Sequence, residues 1–187
     1  MLFQATSLTL KALVGRFAPG TTWTPATGEV HELRQLDALL DFNLLLPTWV
    51  PLGYELLGSE RVPGARDLAT LLFRAGRGED SGVLRLSERL TLLPVEAELN
   101  LARVPSCRIR FRRKTFHLVE GGPVGEPIDP GFWHRTRASI AWEESHAEQR
   151  IACELRFVVG RAPSLGALLR MAQSVRRLDE VSSPPVP

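Results

Sequence analysis

The run Arg108-Ile109-Arg110-Phe111-Arg112-Arg113-Lys114 is the stretch best suited to nucleic-acid chemistry. On one extended strand Arg108, Arg110, Arg112 and Lys114 share a face, with Ile109 and Phe111 opposite. Four cations in a row can neutralise several phosphates and give salt-sensitive binding. Phe111 faces away from them, so it cannot stack bases on the same side. A solvated sheet face, or an edge strand protected by charge, accounts for the same run. The formal net charge of +2 favours that structural account, because it makes a weak steering field.

A second candidate is Pro47-Thr48-Trp49-Val50-Pro51-Leu52-Gly53-Tyr54. Its prolines fix the backbone and Gly53 permits a positive φ, so the segment reads as a rigid turn into a strand. Trp49 and Tyr54 then either pack over the sheet or form the lip of a groove for an apolar ligand or peptide. With Leu84, Leu86 and Trp142 they make the candidate groove lining.

Other chemistries have less to stand on. His31, His117, His134 and His146 are scattered, with no i, i+4 pair and no HExxH. His146 lies near Glu143, Glu144 and Glu148, which reads as a solvated polar turn rather than a metal site. Cys107 and Cys153 form no CxxC; they read as small core residues, and sequence leaves open whether they pair. Gly76 to Gly82 carries Glu79 and Asp80, which repel phosphate. No GxSxG, phosphate-binding loop or Cys–His signature occurs, so a catalytic role and a cofactor are not expected.

These residues have to be positioned by one domain. The chain has 187 residues, 44% hydrophobic and 24% charged. A chain of that length buries roughly 70% of its unfolded surface. Its 21 arginines against Lys11 and Lys114 suit recognition of carboxylate and phosphate, although an Arg-favouring genome composition explains them as well. No signal-peptide order and no run of about 18 apolar residues is present. As the chain stands it reads as cytoplasmic; as an excerpt of a membrane-anchored protein it would be extracytoplasmic.

The spacing of Leu10, Leu13, Val14 and Phe17 predicts a helix over residues 7–17. Val30, Leu33, Leu36, Leu39 and Leu40 predict another over residues 29–42, stopped at Asn43. Residues 21–28 read as loop. Strands follow at 54–62, 67–75 and 83–90; in the last, Leu84, Leu86 and Leu90 alternate with Arg85, Ser87 and Arg89. Residues 106–120 read as a strand bent near Thr115, and 138–144 with 150–159 as a hairpin. A closing helix is predicted from Ser164 to Leu178, buried through Leu165, Leu168, Leu169 and Ala172.

Three segments share an order with a known pattern. They are LDALLDFNLLLPTWVPLGYELL at 36–57, SIAWEE at 139–144 and SLGALLRMAQSV at 164–175. Together they resemble a bacterial domain family of unknown function, found mainly at the extracytoplasmic end of anti-sigma-factor-like and other membrane-anchored proteins. The resemblance implies a shape akin to lipoprotein carriers and periplasmic regulators of envelope stress. It covers most of the chain but not residues 1–28, and it implies a membrane anchor upstream, which is not expected from these residues.

The expected fold is α+β. A curved, mainly antiparallel sheet of about six strands carries N-terminal helices and a C-terminal helix packed on it. Residues 1–28 form a helical extension, 29–178 the domain and 179–187 a disordered tail. The expected function is a non-catalytic binding or interaction module that holds a protein partner or an apolar small molecule between sheet and helices; the resemblance implies a regulatory role for it. The alternative is nucleic-acid binding through Arg108, Arg110, Arg112 and Lys114.

Overall fold

The computed structural model describes residues 20–76, 82–98, 100–101, 106–111, 113–120, 138–146, 148–159 and 163–182. In chain order the elements are β1 (Gly20–Thr22), α1 (Thr27–Asp37), β2 (Leu45–Pro47), β3 (Trp49–Pro51), β4 (Tyr54–Glu60), β5 (Leu68–Ala75) and β6 (Gly82–Thr91). Then come α2 (Val95–Glu98), β7 (Ser106–Phe111), β8 (Lys114–Glu120), β9 (Ala138–His146), β10 (Gln149–Val159), α3 (Leu165–Gln173), β11 (Val175–Arg177) and α4 (Leu178–Ser182).

Seven strands form one sheet in the order β4-β5-β6-β10-β9-β8-β7, antiparallel throughout. Two short ribbons, β1–β3 and β2–β11, stand outside it. The class is the expected α+β, with one strand more in the sheet. The extra strand arises because residues 106–120 are not one bent strand: Phe111 pairs with Lys114, and the chain folds back there.

Residues directly opposite in an antiparallel pair point to the same side. The row Leu71–Leu86–Leu155–Ile140–Leu118 therefore lies on one face, across five strands. This inner face is packed with Leu44, Leu46 and Val50 of the segment around β2 and β3, with Leu33 and Leu36 of α1, and with Leu168, Leu169 and Met171 of α3. The outer face carries α2, whose Val95 packs on Ala141 of β9 and Ala152 of β10. The clean alternation of β6 is thus the trace of two differently covered faces.

Local chemistry sets the helix ends. Ser164 caps α3 by accepting the Ala167 N–H at 3.2 Å. At α1 the cap is Ala26, which has no side-chain acceptor. Glu29 instead reaches back to the Ala26 N–H at 2.6 Å, half of a capping box.

Several expectations are corrected. The second helix ends at Asp37, before Asn43, and Asp37 Oδ1 accepts the Leu44 N–H at 2.6 Å. The closing helix ends at Gln173, before Leu178. The Ser174 carbonyl is taken by Thr48, through its N–H at 3.2 Å and its hydroxyl at 3.0 Å, and the chain turns into β11 beside β2. Asp179 to Ser182, assigned to the tail, belong to α4. Gly20–Thr22 falls where extension and loop were expected and pairs with β3. The predicted helix at 7–17 lies outside the described residues.

Cys107 and Cys153 sit on β7 and β10, with β8 and β9 between them. Three strand spacings come to about 14 Å, twice the reach of a disulfide. Cys153 is a buried free thiol.

Candidate functional site

The inner face takes all five residues named for the groove. Trp49, Tyr54, Leu84, Leu86 and Trp142 are buried members of one core cluster. Trp49 lies in β3, where its backbone N–H donates to Ser174 Oγ at 3.1 Å and the Arg170 guanidinium sits 4.4 Å from its ring centre; its indole Nε1 is buried without a hydrogen-bond partner. Trp142 Nε1–H donates to Glu144 Oε1 at 2.8 Å, and its ring lies 6.0 Å from that of Phe116. The sheet register brings Leu84, Leu86 and Trp142 together as filling between sheet and helices, and none of the five has the exposure of a groove wall.

Among the described residues a buried carboxyl interrupts this core at Glu88. Glu88 continues the inner phase of β6 after Leu84 and Leu86, between Ala69 of β5 and Cys153 of β10. It is 1% exposed. Its Oε2 accepts the Leu45 N–H at 3.0 Å, while Oε1 has no hydrogen-bond partner. Burial first, then the charges of Asp37 and Glu144, push its carboxyl well above the usual carboxylate range, against the pull of the Leu45 bond. Burial first, then the charges of Glu88 and Glu144, push the Cys153 thiol up against the pull of Lys114 and so disfavour its thiolate. The signal for Glu88 was available as a carboxyl in the apolar phase of an alternating strand.

The basic run does not make one row of four cations. Arg108 and Arg110 are exposed on the outer face with Thr115 and His117. The fold-back puts Lys114 beside Phe111 on the inner side, paired with Glu144. Arg112 lies outside the described residues. Arg108 Nη2 is 2.8 Å from Glu96 Oε1 in α2, which also lies 3.1 Å from His117 Nε2. Burial leads the effects that lower the His117 pKa, with Glu96 opposing and Arg108 adding. Glu96 is lowered by its own backbone N–H first and by Arg108 and His117 next.

The outer face holds a second polar row. Leu72 of β5 is opposite Arg85 of β6, Arg85 is opposite Arg156 of β10, and Arg156 is opposite Ser139 of β9. Arg85 Nε, Arg156 Nε and Ser139 Oγ are all buried without a hydrogen-bond partner. Arg156 Nη2 reaches Glu154 Oε1 at 2.9 Å. Arg85 and its diagonal neighbour Arg74 have no ion pair among the described residues. Sequence reading placed Arg85 on a polar face but had no means of setting it against Arg156.

Among the described residues no group of three or more His, Cys, Asp and Glu could hold a metal ion, and no helix is long and apolar enough to cross a membrane. Comparison with known proteins finds no matching family model, no matching curated protein and no matching solved structure.

Proposed function

We propose that the protein is a non-catalytic interaction module that docks an acidic protein segment on the outer face of its sheet. The observation that carries this is the pair Arg74 and Arg85. They are diagonal neighbours on adjacent strands, and neither makes an ion pair among the described residues, although Glu55 of β4 is opposite Arg74 in the register. Leu72 and Val83, both partly exposed, lie beside them on the same face. Arginine set in aliphatic surface is the usual make-up of a protein interface. The reading keeps the coarse class implied by the resembled family, an interaction module, and moves the surface from the inner groove to the outer face.

Two other readings have less support. An apolar ligand between sheet and helices would have to displace packed core, because Trp49, Tyr54 and Trp142 are already buried there. Nucleic acid would need a run of unpaired cations, but Arg108 is answered by Glu96 and Lys114 by Glu144.

Anisotropy titration of a labelled Glu/Leu peptide against the protein tests the proposal. Binding should weaken as salt rises, and the Arg74→Glu/Arg85→Glu protein should lose it. Equal binding of a Lys/Leu peptide, or tighter binding of duplex DNA, overturns it.

A further inference from the structure

Three buried polar atoms without partners fall in one row of the sheet, on Arg85, Arg156 and Ser139. We infer that these three side chains form a recessed site for a single oxyanion, a carboxylate or a phosphate. The inference rests on the outer-face docking proposed above and names the group that would be seated there.

Like charges directly opposite across an antiparallel pair destabilise it. Arg85 and Arg156 are such a pair, and both are partly buried. Glu154 answers one of them, through Arg156 Nη2 at 2.9 Å. The other positive charge is left over, in a place where solvent screens it less than on an open surface. A guanidinium offers a planar fork of donors that matches the oxygens of a carboxylate or phosphate. An oxyanion between the two arginines would relieve their repulsion and supply acceptors for both Nε–H groups. The Ser139 hydroxyl, next in the row, adds a neutral donor that suits an oxygen of the same group. Leu72 and Val119 flank the three polar residues in the row, so apolar side chains bound the polar stretch on both sides.

Arginine side-chain NMR on the whole chain tests the site with inorganic phosphate and with acetate. The Nε–H signals of Arg85 and Arg156 should shift saturably with at least one of them, and the thermal midpoint should rise. Arg85→Gln should weaken that binding by about tenfold or more, as expected for loss of a charged hydrogen-bond donor. Arg110→Gln, on exposed β7, should leave it unchanged. A phosphoserine peptide binding more tightly than its glutamate counterpart assigns the site to phosphate; the reverse order assigns it to carboxylate. Nε–H signals that do not move with either anion overturn the site, even if Arg85→Gln fails to fold. Unmoved signals together with binding of the acidic peptide leave the docking face standing without the site. Saturable shifts with no peptide binding leave the site standing without the docking face.

Discussion

Glu88 and Leu45, 43 residues apart in sequence, are joined by a buried hydrogen bond of 3.0 Å from the Leu45 N–H to Glu88 Oε2. Asp37 Oδ1 takes the preceding amide, Leu44 N–H, at 2.6 Å. Two carboxyls thus hold two consecutive amides of the segment that leads into β2. The Leu44 carbonyl in turn accepts the Leu178 N–H at 2.9 Å, which ties the same segment to α4.

The Glu88 carboxyl binds its proton more tightly in the fold than in the unfolded chain. Between the two pKa values the folded state therefore holds more protons, so stability falls as pH rises through that window. Glu88 contributes fully below the ordinary carboxylate pKa, and its contribution fades toward the raised value. Glu88→Gln keeps an acceptor for Leu45 and cannot ionise, so its stability should decline less over that range. Urea unfolding at a series of pH values, wild type minus variant, measures this; parallel curves would show that Glu88 is not a titrating core acid.

Gly20 lies against the Trp49 indole. A Cβ built on Gly20 would be 2.0 Å from Trp49 Cζ2 and 2.5 Å from the Val50 carbonyl oxygen. Gly20→Ala should therefore destabilise by about 1–3 kcal/mol through overpacking. Gly28 in α1 is the control, because nothing lies within 4 Å of its Cβ position. Gly28→Ala should be neutral or stabilise by about 0.5–1 kcal/mol through helix propensity. Denaturant midpoints of the two variants check the contrast, and an equal response at both sites would remove the close-approach account.

His117, 5% exposed, is opposite Arg108 and touches Glu96. Its pKa is lowered, so it stays neutral further into the acid range than a free histidine. A depressed pKa means stability present above the unfolded value and lost as pH falls through the folded one. Glu96→Gln removes the carboxylate that supports the imidazolium and should lower the His117 pKa further. NMR titration of the imidazole reads this directly. A rise in the variant would mean that Glu96 does not face His117 in solution.

Much of the fold was legible because its causes are local. Alternation in Val83 to Leu90 marked β6 and its two faces, and the Pro51-Leu52-Gly53 turn marked the start of β4, with Gly53 at φ +82°. The Ser164 cap and the spacing of Leu168, Leu169 and Ala172 marked α3. The ends were less legible where partners decided them. Nothing between Ser174 and Leu178 forbids helix; the bonds from Thr48 and the pairing of β11 with β2 end it.

The sequence by itself determined the class of fold, the apolar faces and the abundance of arginine, since composition and periodicity are properties of the chain alone. Tertiary structure decided which of those residues meet. The fold-back that pairs Phe111 with Lys114 separates Lys114 from Arg108 and Arg110, because it reverses the alternation that one continuous strand would keep. Burial makes core of Trp49 and Trp142, which the sequence also allowed as groove lining. Register sets Arg85 opposite Arg156, 71 positions away, and a one-residue slip would turn the two side chains to opposite faces of the sheet.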